Sequence, residues 1–253
     1  MKIDLNGKTV LVTGASGELG RVIVRTCATC GADVAIHYHN NKESAQKLAE
    51  EARAMGRKAE IFQADITSAD DINSMRDAVR KSLGAPQIII NNAVIQYTWK
   101  SVLEQNIEDY EGQFQSCVMH NVHMIKAFVP DMIKNRYGRV ISINTECAMQ
   151  MLPTQSAYAA AKRGMDGLLR VLAREVGEYN ITVNQVAPGW TLSEKYNDAL
   201  PEGSETYAAN VPLKRMGTAQ DVANAVMFLA SDLASFITGA YIPVCGGNVM
   251  PTI

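Results

Sequence analysis

The sequence predicts a doubly wound α/β fold, one parallel sheet of about seven strands with helices on both faces. Three observations carry that expectation. Short β-rich runs alternate with longer helical patterns along the chain. The strand candidates are continuously apolar, as in Ile88-Ile89-Ile90, which suits strands covered on both faces. A glycine-rich turn, Gly14 to Gly20, stands at the first strand-to-helix junction.

Taken in order, Thr9–Thr13 is apolar and β-branched and reads as the first strand, and Val22–Cys30 lies in the first helix. Strand Val34–Tyr38 precedes a helix over Lys42–Met55, where charges of both signs alternate on the solvent side. Strand Ala59–Gln63 leads to a helix over Asp70–Leu83, and strand Ile88–Ile90 is bounded by Pro86 and Asn91-Asn92. A helical region is expected from Ser101 to Asn135. Strand Arg139–Ile143, helix Ser156–Glu178 and strand Ile181–Asn184 follow. Ala219–Ser231 reads as a helix and Ala240–Val244 as the last strand. The stretch 188–217 is too long for an ordinary connection and predicts a binding loop or lid. No linker, repeat or low-complexity tract divides the chain, so one domain over 1–253 is expected.

Composition excludes several classes of function. Of 253 residues, 47% are hydrophobic and 20% charged, and the net charge is −2. A nucleic-acid groove binder would carry a clustered basic excess. No segment approaches the ~18 apolar residues of a membrane span. Five cysteines, at 27, 30, 117, 147 and 245, make an odd set that does not read as a disulfide framework. Cys27 and Cys30 fall inside a helix and read as packed thiols. His120 and His123 lack a third ligand and read as surface or interface side chains, so no metal is expected. Met1-Lys2-Ile3-Asp4 runs into the first strand without a signal-type apolar run, so a reducing cytoplasmic setting is expected.

Two patterns carry chemistry. Tyr158 and Lys162 are four residues apart and share one helix face. A fixed ammonium favours phenolate and lowers a phenol's pKa, which equips the pair for proton transfer near neutral pH. Gly14, Gly17 and Gly20 permit a tight turn and close backbone approach, and the following helix N-terminus favours a pyrophosphate. After the second strand stands Tyr38-His39-Asn40-Asn41-Lys42, with no carboxylate for a ribose 2′-hydroxyl. That absence leans toward a 2′-phosphorylated cofactor met by His39, Asn40 and Lys42.

With those residues in place, the chain resembles the short-chain dehydrogenase/reductase family over nearly its whole length, nearest in pattern to its bacterial 3-oxoacyl-carrier-protein reductases. The motifs are Thr13-Gly14-Ala15-Ser16-Gly17-Glu18-Leu19-Gly20, Asp65-Ile66, Asn91-Asn92-Ala93, Tyr158 with Lys162, and Asn184 to Pro188-Gly189. Pro212-Leu213, Gly217, Asp221-Val222, Phe228 to Ser231 and Thr238-Gly239 add a C-terminal likeness. The resemblance implies a Rossmann-like fold and hydride transfer between a nicotinamide and a ketone or secondary alcohol. NADP(H) is favoured and NAD(H) remains open. It implies that Gly14, Ser16, Gly17, Glu18, Leu19, Gly20, His39, Asn40, Asp65, Ile66, Asn92, Ala93, Tyr158, Lys162, Pro188, Gly189 and Thr191 hold the cofactor. Tyr158 would protonate the carbonyl, Lys162 would tune Tyr158, and Thr145 would bond the developing oxyanion. A homotetramer or homodimer through 101–135 and 156–178 is implied.

Departures from the family pattern shape the expected activity. The usual catalytic serine is Thr145, and registering on Pro130-Asp131-Met132 puts Cys117 where the family has an asparagine. Asn121 lies one turn further on. Val94 ends the Asn-Asn-Ala motif, Cys245 precedes Gly246-Gly247, and Glu18 stands where many relatives have glycine. Slow or narrow-scope reduction is therefore expected. Met149, Met151, Trp190, Tyr196, Tyr207, Gln96, Tyr97 and Trp99 are candidates for an apolar substrate wall or for local packing. Two further readings stay open: a biosynthetic enzyme acting on a sugar, polyol or polyketide-like ketone, and a nucleotide-binding protein with little turnover.

Overall fold

Alternating apolar strands force the architecture found in the computed structural model, which describes residues 3–192 and 200–251. The strands are β1 (Thr9–Val12), β2 (Asp33–Tyr38), β3 (Ala59–Gln63), β4 (Ile88–Asn91), β5 (Gly138–Ile143), β6 (Ile181–Pro188), β7 (Thr191–Leu192), β8 (Gly217–Thr218) and β9 (Tyr241–Val244). The helices are α1 (Glu18–Thr29), α2 (Lys42–Ala54), α3 (Ala69–Leu83), α4 (Ile107–Phe114), α5 (His120–Asn135), α6 (Cys147–Gln150), α7 (Ser156–Val176), α8 (Ser204–Asn210) and α9 (Ala219–Ala230). Seven strands form one sheet in the order β3-β2-β1-β4-β5-β6-β9, every pairing parallel. Strand β1 is the pivot. Its Leu11 pairs with Ala35 of β2 on one side and Ile89 of β4 on the other. The chain winds outward from β1 to β3, then crosses to β4 and winds the other way. Ligands of such sheets bind at the strands' C-terminal ends, where that reversal opens a crevice.

Period-two alternation divides the core in two. Val10, Val12, Ile36, Ile88 and Ile90 face a layer with Ile23, Val24, Leu48, Val222 and Val226, supplied by α1, α2 and α9. Leu11, Ala35, Ile89, Val140 and Val183 face the other layer with Ile72, Phe128, Met165 and Leu169, from α3, α5 and α7. Both faces are covered, which is why the strands read as unbroken apolar runs.

Helix starts follow capping chemistry. The Asn41 and Ser68 side chains accept from Ser44 and Asp71, and Thr218 with Asp221 forms a capping box at α9.

Three segments differ from the sequence expectation. The region 101–135 is not helical from its start, because Ser101 closes a turn onto Glu104 and Gln105. Its helix then contains a π-helical turn, Gln115–Met119, between α4 and α5. Strand β6 runs past Asn184 to Pro188, extended by pairing with β9. Within 188–217 lie α8 and the two-residue ribbon of β7 with β8, and residues 193–199 are outside the described set.

Candidate active site

The glycine loop is built by the ends of β1, β2 and β4. Gly14 has φ +62, and a Cβ there would come within 2.9 Å of the Ala93 Cα, so only glycine fits against β4. A Cβ at Gly20 would run into the Gly14 carbonyl. The Thr13 hydroxyl accepts the backbone N–H groups of Asn92 at 2.9 Å and Ala93 at 3.2 Å. The Asn92 amide returns a bond to the Thr13 carbonyl at 3.0 Å. Gly17 caps α1 without a side-chain acceptor, which leaves the first N–H groups of that helix facing the cavity. From below, His37 Nδ1 accepts the Gly14 N–H at 2.9 Å while Nε2 donates to the Ala64 carbonyl. Burial pushes the His37 pKa down to about 4, so the ring stays neutral and keeps that acceptor.

The loop opens onto a cavity of about 960 Å³. At one end it is lined by His39, Asn40, Asn41, Asp65, Ile66 and Thr67, and at the other by Thr145, Tyr158, Lys162, Pro188, Gly189 and Thr191. Lys42 is exposed and takes no part in the lining. Asp65 accepts the Thr67 N–H and hydroxyl at 2.8 and 2.7 Å, which holds its carboxyl below the usual range. Glu18 pairs with Arg21 at 3.2 Å through Oε1, while its Oε2 is buried and has no donor. A cavity of this length fits a dinucleotide. The glycine cradle and helix N-terminus suit its diphosphate.

At the far end, α7 presents Tyr158 and Lys162 as the spacing predicts. Lys162 is 4% exposed, and its ammonium donates to the Ile143 carbonyl at 2.6 Å. Burial pushes its pKa down, opposed by nearby Cys117. Its Nζ lies 5.6 Å from the centre of the Tyr158 ring. The expectation that Lys162 depresses the Tyr158 pKa is not met in this state. Burial first, then Cys117 and Cys147, pushes the phenol up, and the nearby Thr145 hydroxyl pulls it down. Tyr158 itself lines the cavity. Its backbone N–H donates to the Tyr97 hydroxyl at 3.0 Å, and the Trp99 ring stacks on it at 6.3 Å.

Thr145 sits at the end of β5. Its N–H donates to Asn144 Oδ1 at 2.8 Å and its hydroxyl accepts from the Cys147 N–H at 3.2 Å. Cys117 is buried in the π-turn. The Cys117 carbonyl accepts the Asn121 amide at 2.7 Å, and Asn121 Oδ1 accepts from Asn91 at 2.8 Å and Ser142 at 2.7 Å. Asn121 is therefore a buried tie between β4, β5 and the π-turn.

Some features were missed from sequence. The π-turn has no local residue signature. His120, read as a surface or interface side chain, is buried where α5 follows the π-turn. Burial lowers its pKa to about 3. Of the substrate-wall candidates, Trp190 and Gln96 line the cavity and Tyr97 and Trp99 touch Tyr158. Met149 and Met151 do not line it, and Met151 is exposed. Tyr196 lies outside the described residues. Cys27 is buried and Cys30 partly buried. Among the described residues there is no metal-ligand cluster and no helix long and apolar enough to cross a membrane.

Residues 14–248 match the family model described as enoyl-(acyl carrier protein) reductase. The 3-oxoacyl-(acyl-carrier-protein) reductase FabG of Staphylococcus epidermidis is 34% identical over 96% of this chain and 99% of its own length. FabG of Pseudomonas aeruginosa is 36% identical over 98% and 100%. Among solved structures, a 7α-hydroxysteroid dehydrogenase complexed with NADH and 7-oxo glycochenodeoxycholic acid superposes with a TM-score of 0.91 at 30% identity. That match covers 99% of this chain and 97% of the other. A Serratia marcescens short-chain dehydrogenase/reductase gives 0.89 at 28% identity, over 96% and 98%. A glycine cradle at the sheet's reversal, the Tyr158–Lys162 pair and full-length likeness to these enzymes agree: the chain is an oxidoreductase of the short-chain dehydrogenase/reductase family.

Proposed function

We propose that the protein reduces a ketone to a secondary alcohol with hydride from a nicotinamide dinucleotide. The observation that carries this reading is that Tyr158, Lys162 and Thr145 line the same cavity as the glycine loop. The cofactor supplies the hydride. Tyr158 delivers a proton to the carbonyl oxygen, and the Thr145 hydroxyl stabilises the charge that develops there. Lys162, fixed on the Ile143 carbonyl, keeps a positive charge behind the phenol. Gly14 to Gly20, Asn92, Ala93, Pro188, Gly189 and Thr191 hold the dinucleotide, and one domain carries the whole site. FabG relatives bear the name of a 3-oxoacyl reductase, which supports a ketone substrate here.

For the cofactor, the missing acid after β2 speaks for NADP(H), with His39 and Asn40 as contacts. One observation favours NAD(H) instead. Among the described residues lining the adenosine end the one charged side chain is Asp65, and the Glu18 carboxylate of the glycine loop is paired with Arg21. A 2′-phosphate there meets repulsion rather than a cation. We take NAD(H) as the better-supported cofactor. Titrating the protein with NADH and NADPH tests this, with the lower dissociation constant expected for NADH; a clear NADPH preference reverses it. The exposed apolar side chains Ile107, Phe114 and Val171 support self-association through α4 and α7. The chain's work is assigned to the cytoplasm. Oxidation of NADH or NADPH with a panel of ketones and 3-oxoacyl thioesters tests the activity itself. Tight cofactor binding without turnover of any of them would replace it with a sensor role.

A further inference from the structure

Directly after Thr145 stands Glu146, 4% exposed. Among the described residues no cation pairs with it, and a buried carboxylate in that state is costly. It is held by two neutral donors from distant segments. Tyr207 Oη of α8 donates to Oε1 at 2.8 Å, and Asn248 Nδ2 donates to Oε2 at 3.0 Å. The same Tyr207 oxygen accepts the Trp190 N–H at 2.9 Å, and the two rings meet edge to face at 5.6 Å. Gly189 leaves the room for this: a Cβ there would strike the Tyr207 hydroxyl and come within 2.9 Å of Glu146 Oε2. The Glu146 N–H donates to the Pro188 carbonyl at 2.9 Å. One residue therefore joins the Thr145 segment, the end of β6, α8 and the C-terminal turn, through its main chain to β6 and its carboxylate to the other two.

Residue chemistry explains why a carboxylate is used. Both of its oxygens accept, matching two donors, whereas an amide would turn a donor toward a donor. Glu146 does not line the cavity, but Trp190 does, beside Thr145 and Tyr158. Trp190 keeps 38% of its surface open, and Trp99, against Tyr158, keeps 45%. Trp190 is a half-open indole on the wall of the cavity that holds Tyr158, and such a face suits a flat apolar body.

We propose that Glu146 is a positioning residue that fixes the Trp190 wall through Tyr207, and that the wall selects ketones with a flat, apolar ring body. This rests on the reduction proposed above. The test uses Tyr207→Phe, which removes one hydroxyl, and Glu146→Gln, each also made in a Trp99→Phe background. Trp190 is then the sole tryptophan, since the chain has 2. In both variants Trp190 emission is expected to shift to the red and to become more open to acrylamide. The KM for a bicyclic ketone such as 2-decalone is expected to rise about five- to tenfold, the worth of one hydrogen bond. Its kcat, and the KM for a short aliphatic ketone, are expected to stay within about twofold. Unchanged Trp190 emission overturns the proposal, and so does an equal loss for both ketones. Wild-type protein that reduces neither ketone sinks the reduction reading, while Trp190 emission, read without substrate, still judges the Glu146 tie.

Discussion

Asn121 and His37 show how much of the site depends on single buried polar atoms. Asn121 satisfies Asn91, Ser142 and the Cys117 carbonyl at once. Asn121→Ala leaves all three without that partner, and a loss of about 3 kcal/mol is expected in urea unfolding. A loss below about 1 kcal/mol would mean that solvent replaces those bonds. His37 and His120 have folded-state pKa values of about 4 and about 3, below the ordinary 6.5. The unfolded chain therefore binds more protons between those limits, and stability rises with pH across the window. The contribution is full above 6.5 and is lost as pH falls toward 4 and below. A urea midpoint that does not fall between pH 6.5 and about pH 5.5 would contradict this; the carboxylates with lowered pKa, such as Asp65, act mainly below that range. At this scale the sequence disclosed Tyr158, Lys162 and the glycines, because spacing and backbone freedom are local. Asn121 meets Asn91 across 30 positions, and Glu146 meets Asn248 across 102, so neither role has a local signature.

The elements position these residues through their ends. β1 stops at Val12 so that Thr13 and the glycines can turn beneath α1, and Gly20 lets that helix close on the Gly14 carbonyl. Gly20→Ala is expected to weaken dinucleotide binding about tenfold or more while the protein still folds, since the helix N-terminus moves away from the diphosphate. Binding within about twofold of wild type would show that the loop yields without cost. Helices and strands were legible because both core faces alternate strictly along β1, β2 and β4. The π-turn at Gln115–Met119 was not, since one extra residue per turn leaves the apolar pattern of 101–135 nearly unchanged. That turn places Cys117, rather than an asparagine, near Tyr158 and Lys162.

The whole molecule follows from the reversal at β1. One parallel sheet, covered on both faces, gathers the C-terminal ends of β1, β4, β5 and β6 into one crevice. Proton donor, oxyanion donor and glycine cradle come from four different strands and helices, yet they face a single cavity. The account's central claim is that Tyr158 supplies the proton in a dinucleotide-dependent reduction. The direct measurement is turnover of a ketone by Tyr158→Phe beside wild type, with the cofactor dissociation constant measured for both. The account predicts a fall in kcat of about a hundredfold or more with cofactor affinity within about twofold. Equal turnover by the two proteins would contradict it.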